Sequence, residues 1–205
     1  GKRYNSPNDL CVDGQGRIYF TDPCYWEPSR KEMEMAIEGV YRIDPDGAVS
    51  RILEQPAIQR PNGIAVTQDG RRMYVIDSCP IPGGNRKVWS FELDAGGAPS
   101  KQTLIWDFAP GRGGDGMRLD VQGNLYVAAG INRPRHGNET GEVPAGIYMI
   151  SSVGEMLGRI PIAEDVITNL AFGGSDGRTV YATAGKTLFT ARVGIPGQVA
   201  FPKWR

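Results

Sequence analysis

A short pattern occurs four times along this 205-residue chain. Each copy begins with a polar residue, which is followed by an apolar run, a turn that contains glycine and a second apolar run. The second copy, residues 62–77, shows the pattern most fully, with an Asp69-Gly70 turn between its two runs. The leading residues are Asn8, Asn62, Asp115 and Asn169, at spacings of 54, 53 and 54 residues. Such regular spacing indicates a repeat architecture, and this decides the fold class before any single element is considered.

Each repeat divides into short segments of strand length, and none has the period of a convincing amphipathic helix. With 28 Gly and 15 Pro, the chain is rich in turn residues, as in Asp44-Pro45-Asp46-Gly47. Four-stranded antiparallel units that repeat every 40–55 residues or so, roughly as here, are typical of propeller blades. We therefore predict an all-β propeller of four-stranded antiparallel blades, about four of which are present. Their approximate bounds are 5–57, 58–110, 111–164 and 165–205, and we identify only three strands in the last.

The blade topology predicts that the leading residues share one face of the propeller. In an up-and-down antiparallel sheet, the start of the first strand lies at the same end as the connection between the second and third strands. The four leading residues then lie beside the longest loops, 22–38, 77–86 and 129–145. The Asp-Gly turns lie on the opposite face. A radial arrangement of the blades would bring the leading side chains towards one axis.

Three amides and one carboxylate at such an axis would form a set of hard oxygen donors. Donors of this kind suit Ca²⁺, which takes about 6–8 oxygens, better than Zn²⁺, which prefers His and Cys. The single histidine and three cysteines without zinc spacing support Ca²⁺ by exclusion, although Zn²⁺, Mg²⁺ and Mn²⁺ stay open. Asp115 could hold the ion, activate water, or do both. Each Asn taken singly is also typical of a turn residue that satisfies nearby backbone amides.

Six motifs in order along the chain resemble those of the SMP-30/gluconolactonase family of six-bladed propellers. They are residues 5–9 (NSPND), 19–23 (YFTDP), 39–45 (GVYRIDP), 61–65 (PNGIA), 114–117 (GDGM) and 169–174 (NLAFGG). The resemblance covers nearly the whole chain. It implies a divalent-metal-dependent hydrolase, usually with Ca²⁺, that acts on sugar lactones or related esters.

The resemblance also implies roles for single residues. Asn62 matches a metal ligand, and Asp115 matches the metal ligand that is also the expected general base. Asn8 matches an Asn that binds metal or substrate, and Asn169 occupies the equivalent place in the last blade, which is less constant in the family. Ser6 stands where one branch has a substrate-binding Arg, so the resemblance is closer to the bacterial gluconolactonase branch.

One ligand of the family has no counterpart in this sequence. The first metal ligand of the family is a Glu in a blade that precedes the Asn8 motif, and none of the Glu residues here lies in a matching motif. The resemblance implies that about 100 residues, or two blades at this period, are missing. The chain would then be a fragment, pair with another chain, or lack a closed ring. With one carboxylate left, we expect weaker divalent-ion binding.

Three further residues are candidates for substrate binding. Tyr25 and Trp26 follow a loop proline on the predicted active face, where their rings could stack on a sugar or pack between blades. His136 lies in a polar loop and could act as an acid or base, or be solvated.

The leading hypothesis is hydrolysis of a sugar lactone. An ion held by Asn62, Asp115 and Asn8 would polarise the carbonyl, and Asp115 would activate water. The alternatives are a phosphotriester substrate on the same site and a non-enzymatic propeller that serves as a binding scaffold.

The number of Lys and Arg residues equals the number of Asp and Glu residues, at 23 each, which argues against a nucleic-acid partner. No apolar run approaches the ~18 residues of a membrane span, so we expect a soluble protein, cytoplasmic, periplasmic or secreted, of undetermined oligomeric state.

Overall fold

The computed structural model describes residues 1–25, 30–135 and 139–199. Within that part of the chain there are fifteen strands. In chain order they are β1 (Leu10–Val12), β2 (Ile18–Asp22), β3 (Gly39–Ile43), β4 (Val49–Glu54), β5 (Pro61–Val66), β6 (Arg72–Ser78), β7 (Arg86–Leu93), β8 (Pro99–Asp107), β9 (Gly114–Leu119), β10 (Leu125–Ala129), β11 (Gly146–Ile150), β12 (Met156–Pro161), β13 (Ile167–Gly173), β14 (Thr179–Ala184) and β15 (Thr187–Arg192). In the same residues, no helix has the length and hydropathy needed to span a membrane.

The strands form four antiparallel sheets in which sequence neighbours are also neighbours in space. The sheets are β1-β2-β3-β4, β5-β6-β7-β8, β9-β10-β11-β12 and β13-β14-β15. The first strands β1, β5, β9 and β13 contact one another in order along the chain. The sheets are therefore the blades of a propeller, with their first strands on the inside. The predicted all-β propeller of antiparallel blades is confirmed, including the three strands of the last blade.

An aspartate closes the turn between the first and second strands of a blade. In the third blade, Asp120 Oδ1 accepts hydrogen bonds from the backbone N–H groups of Gln122 and Asn124, at 2.9 and 3.0 Å. Gly123 adopts a φ of 81°, which glycine reaches without steric cost. Asp13 makes the same pair of contacts in the first blade. These turns lie at the far end of the first strand from the leading residue, as the repeat pattern predicts.

The hydrophobic core consists of three clusters, each packed between neighbouring blades. Between the first and second blades, the cluster includes Tyr19, Val40, Ile64, Met73 and Val75. Between the second and third blades, it includes Tyr74, Ile76, Met117, Leu125 and Val127. Between the third and fourth blades, it includes Tyr126, Ala128, Ile147, Leu170 and Val180. Strands β5 and β10 are buried along their whole length because both of their faces are covered by neighbouring blades. The apolar runs of the sequence pattern are therefore inter-blade packing surfaces.

Glycines allow the first strands of adjacent blades to approach closely. A Cβ at Gly63 would overlap the carbonyl oxygen of Asp115, and a Cβ at Gly116 would overlap the side chain of Asn169. Each of these glycines directly follows a leading residue, Asn62 or Asp115. The Asn-Gly and Asp-Gly pairs that open β5 and β9 therefore serve close inter-strand packing, which places one leading residue beside the next.

Candidate active site

A fully buried aspartate fixes the segment ahead of each of the first two leading residues. Asp77, at the end of β6, accepts hydrogen bonds from the backbone N–H groups of Gln59 and Arg60, at 3.0 and 2.8 Å. These donors lie three and two positions ahead of Asn62. Asp22, at the end of β2, accepts the equivalent pair from the residues three and two positions ahead of Asn8. The two carboxylates thus set where the chain enters β5 and β1.

A cavity of about 240 Å³ opens on the face where the leading residues lie. Its lining includes Asn8, Tyr25, Asn62, Ser78, Pro80, Arg86, Arg112, Gly113, Asp115, Arg135 and Glu139. Three of the four leading residues meet here, from three different blades. Asn169 is not part of this lining, and its Oδ1 accepts a hydrogen bond from the N–H of Leu170 at 2.8 Å.

The carboxylate of Asp115 has a perturbed pKa in the cavity. Burial raises its pKa above the ordinary value, whereas the charge of Arg112 and hydrogen bonds from Arg112 and Asn62 lower it. Arg112 Nη2 donates to Asp115 Oδ2 at 2.6 Å, and Arg112 Nη1 donates to the Ile167 carbonyl of β13 at 3.1 Å. A carboxylate with a raised pKa that is held in a fixed orientation is suited to act as a general base.

The amide oxygen of Asn62 is free to bind a ligand. Asn62 is only 5% exposed, and its Oδ1 has no hydrogen-bond partner among the residues that the structure describes. A buried acceptor left unsatisfied costs about 1–3 kcal/mol. A cation or a hydrogen-bond donor of a substrate would remove that cost.

The donors of the cavity fit a hard cation in chemical type but are few. Among the residues that the structure describes, no group of three or more His, Cys, Asp or Glu side chains is placed to hold a metal ion. The oxygens that the three predicted ligands offer are the amide oxygens of Asn8 and Asn62 and the carboxylate of Asp115. Arg112 already pairs with that carboxylate, so a metal ion at Asp115 would meet a competing positive charge.

Tyr25 brings a second unsatisfied polar group to the cavity. Its hydroxyl is buried and has no hydrogen-bond partner in the described ranges 1–25, 30–135 and 139–199. Burial raises the pKa of Tyr25 well above the ordinary value, and the charge of Asp115 reinforces this effect. The guanidinium carbon of Arg60 lies 5.7 Å from the centre of the ring. The ring therefore packs on Arg60 while the hydroxyl is available to a ligand. Trp26 and His136, the other two substrate-binding candidates, lie outside the described residues.

The sequence analysis missed the arginines of the cavity. Arg86, Arg112 and Arg135 all line it, together with the carboxylates of Asp115 and Glu139. Each arginine lies in or just after a loop on the predicted active face, and that position was the signal available in the sequence.

A larger, more open depression of about 760 Å³ lies at the opposite, turn-bearing end of the blades. It is lined by turn residues such as Asp69, Arg71 and Gln122. None of the predicted site residues that the structure describes lines it. The smaller cavity, which brings Asn8, Asn62 and Asp115 together, is therefore the candidate active site.

Comparison with known proteins agrees with this architecture. Residues 1–186 match the family model described as the SMP-30/Gluconolactonase/LRE-like region. The chain belongs to this family. The resemblance inferred from the six motifs is thereby confirmed.

Individual members of the SMP-30/gluconolactonase family show how far the likeness extends. The chain is 34% identical over 203 residues to a gluconolactonase of Zymomonas mobilis, a match that covers 94% of this chain and 51% of that protein. The solved gluconolactonase of Xanthomonas campestris has a TM-score of 0.74 and 29% identity over 97% of this chain and 59% of that one. The calcium-binding protein regucalcin of Agrobacterium tumefaciens has a TM-score of 0.69 over 95% of this chain and 63% of that one, and at 18% identity it shows the fold alone. The chain spans about half the length of the curated relatives it matches.

Proposed function

We propose that this chain carries the catalytic residues of a divalent-metal-dependent sugar lactonase. The observation that carries the proposal is the unsatisfied Oδ1 of buried Asn62 beside the Asp115 carboxylate in the same cavity. The gluconolactonases of Zymomonas mobilis and Xanthomonas campestris support the substrate class. The cavity, at about 240 Å³, is smaller than the roughly 300–1,000 Å³ of sites for drug-sized ligands, which favours a single sugar ring.

The ion would be held by Asn62, Asp115 and Asn8. When bound, it supplies positive charge that polarises the lactone carbonyl and stabilises the oxyanion. Ca²⁺ suits amide and carboxylate oxygens. Because Asp115 is the single carboxylate of this set, we expect weak binding to the isolated chain.

Asp115 accepts the proton of the attacking water. Its carboxylate is oriented by Arg112 and Asn62, and an ionised carboxylate in that position can take up the proton of a water molecule. The water oxygen bonds to the acyl carbon, the ring C–O bond breaks, and the ring oxygen takes up the proton that Asp115 had accepted. The Tyr25 hydroxyl donates a hydrogen bond to an oxygen of the reacting ester, which satisfies that buried group.

A pH-indicator assay with glucono-1,5-lactone tests the proposal, with the uncatalysed rate subtracted. We expect hydrolysis that EDTA abolishes and Ca²⁺ restores. Asp115→Asn should lower kcat/KM by about 10²–10⁴-fold, which is the range for loss of a general base. An Asp115→Asn variant as active as the unmodified chain would exclude the mechanism.

The same preparation distinguishes the two alternatives. A chromogenic phosphotriester that is hydrolysed faster than the lactone would favour a phosphotriesterase. A chain that hydrolyses neither compound and shows no Ca²⁺-dependent thermal shift would favour a binding scaffold. The acidic and basic side chains that line the cavity count against a scaffold, because a scaffold has no need to bury them.

A further inference from the structure

Arg86 is a buried cation in the wall of the candidate active site. It is 9% exposed and lines the cavity. Its Nη1 donates to the carbonyl oxygens of Gly84 and Asn85, at 3.3 and 3.1 Å. Among the residues that the structure describes, no carboxylate lies within ion-pair distance of Arg86. Its hydrogen bonds therefore go to neutral groups, and its charge is not neutralised by contact.

The other charges of the cavity are already paired. Arg112 pairs with Asp115 at 2.6 Å, and Arg135 pairs with Glu139 at 3.0 Å. Among the described residues that line the cavity, three guanidinium groups thus face two carboxylates, and Arg86 is the one without a carboxylate partner. Burial lowers the pKa of Arg86, and this outweighs the nearby groups, such as Glu139, that raise it. An unneutralised buried cation is costly, and a bound anion would offset that cost.

Strand pairing and a backbone hydrogen bond fix the position of Arg86 in the cavity wall. Arg86 opens β7 and pairs in register with Ser78 of β6, and its carbonyl accepts the N–H of Phe108 at 2.8 Å. A Cβ at Gly113 would lie 3.1 Å from Arg86 Cδ and 2.9 Å from Ser78 Oγ. The absence of a side chain at Gly113 leaves the space that the Arg86 side chain uses. Ser78 and Gly113 line the same cavity.

Arg86 and Asp115 belong to different parts of the cavity wall. Arg86 opens β7 of the second blade, whereas Asp115 lies in β9 of the third blade and pairs with Arg112. A ligand that places its reacting carbonyl at Asp115 can therefore present another substituent to Arg86. A guanidinium group binds phosphate, sulfonate and carboxylate through two parallel N–H···O hydrogen bonds, so the preferred substituent is an oxyanion.

We propose that the substrate of this site is a sugar lactone that carries an anionic substituent, which Arg86 binds. The inference rests on the proposed lactonase function and narrows its substrate class. Arg86 is a specificity-determining residue in this scheme, because it contacts the substituent and not the reacting carbonyl.

Turnover tests the preference directly. We would measure kcat/KM for glucono-1,5-lactone, its 6-phosphate, its 6-sulfonate and a lactone with a 6-carboxylate. We expect at least one anionic lactone to exceed the neutral lactone by tenfold or more, and the three anionic compounds identify which oxyanion is preferred. Arg86→Gln should reduce that ratio at least tenfold. Arg71→Gln, an exposed arginine at the opposite end of the blades, is the matched control and should leave the ratio unchanged.

Binding tests the anion site independently of catalysis. Calorimetry with 6-phosphogluconate, 6-sulfogluconate, glucarate and gluconate, which lacks a second anionic group, should show at least tenfold tighter binding of one compound that carries the extra anion. Arg86→Gln should lose this difference in affinity. If no lactone is hydrolysed but this binding is seen, the proposed function fails and the anion site stands. If lactones are hydrolysed or bound without any preference for the extra anion, the inference is overturned. Should Arg86→Gln not fold, the ligand preference of the unmodified chain decides by itself, and an absent preference overturns the inference.

Discussion

Replacement of Asp77 by Asn tests whether a buried carboxylate positions the Asn62 segment. Asp77 is fully buried and accepts three hydrogen bonds, from the N–H groups of Gln59 and Arg60 and from Asn85 Nδ2, at 3.0, 2.8 and 2.7 Å. An asparagine can keep one oxygen towards Gln59 and Asn85, but its NH₂ group then faces the N–H of Arg60. Loss of a hydrogen bond to a charged group costs about 1.5–3 kcal/mol, and a buried unsatisfied donor costs about 1–3 kcal/mol. We expect Asp77→Asn to lower the free energy of unfolding by ~3 kcal/mol or more.

Urea titration followed by tryptophan fluorescence measures this change. The matched control is Asp46→Asn, an exposed turn residue that accepts one hydrogen bond, from the N–H of Ala48 at 2.9 Å. The control should change the free energy of unfolding by no more than about 0.5 kcal/mol. Under conditions where both variants are folded, only Asp77→Asn should lose lactone hydrolysis, because Asn62 moves. An Asp77→Asn effect no larger than that of the control would refute the anchoring role.

Two further results follow from contacts at Asp115. Gly63→Ala should lower the free energy of unfolding by about 1–3 kcal/mol in the same titration, because the added Cβ would overlap the Asp115 carbonyl oxygen. The control Gly194→Ala should hardly change the free energy of unfolding, because there is open space around Gly194. Because burial raises the pKa of the Asp115 carboxylate when no ion is bound, Ca²⁺ binding measured by calorimetry should weaken as the pH drops towards that pKa, since the proton and the ion compete for the carboxylate. Arg112→Gln should move this loss of affinity to higher pH, because Arg112 lowers the pKa of Asp115, and should tighten Ca²⁺ binding at neutral pH, because a competing cation is removed. An unmoved pH dependence and an unchanged affinity would show that Arg112 does not act on Asp115.

The pairing of Arg112 with Asp115 distinguishes this cavity from a metal centre built of oxygens alone. Arg112 reaches the Ile167 carbonyl of the next blade with one nitrogen and the Asp115 carboxylate with another. It therefore supplies positive charge at the place where a divalent ion would bind. Any ion held by Asn62 and Asp115 must share the carboxylate with this guanidinium group.

The sequence by itself determined the strands, their turns and the common position of Asn8, Asn62 and Asp115. These features are local, because alternating apolar residues, Asp-Gly turns and a constant repeat length specify each blade from its own residues. It also contained the glycines at 63 and 116, although only the packing of neighbouring strands explains them.

Tertiary structure alone decided how the charges pair and which residues line the cavity. Asn169 shares the repeat position of Asn62 but bonds to the backbone of its own strand, and it does not line the cavity. Within the described part of the chain, Arg86 has no carboxylate at ion-pair distance, because Arg112 and Arg135 pair with the two carboxylates that line the wall there. Such pairings depend on distances between side chains of different blades, and a repeat pattern carries no information about those distances.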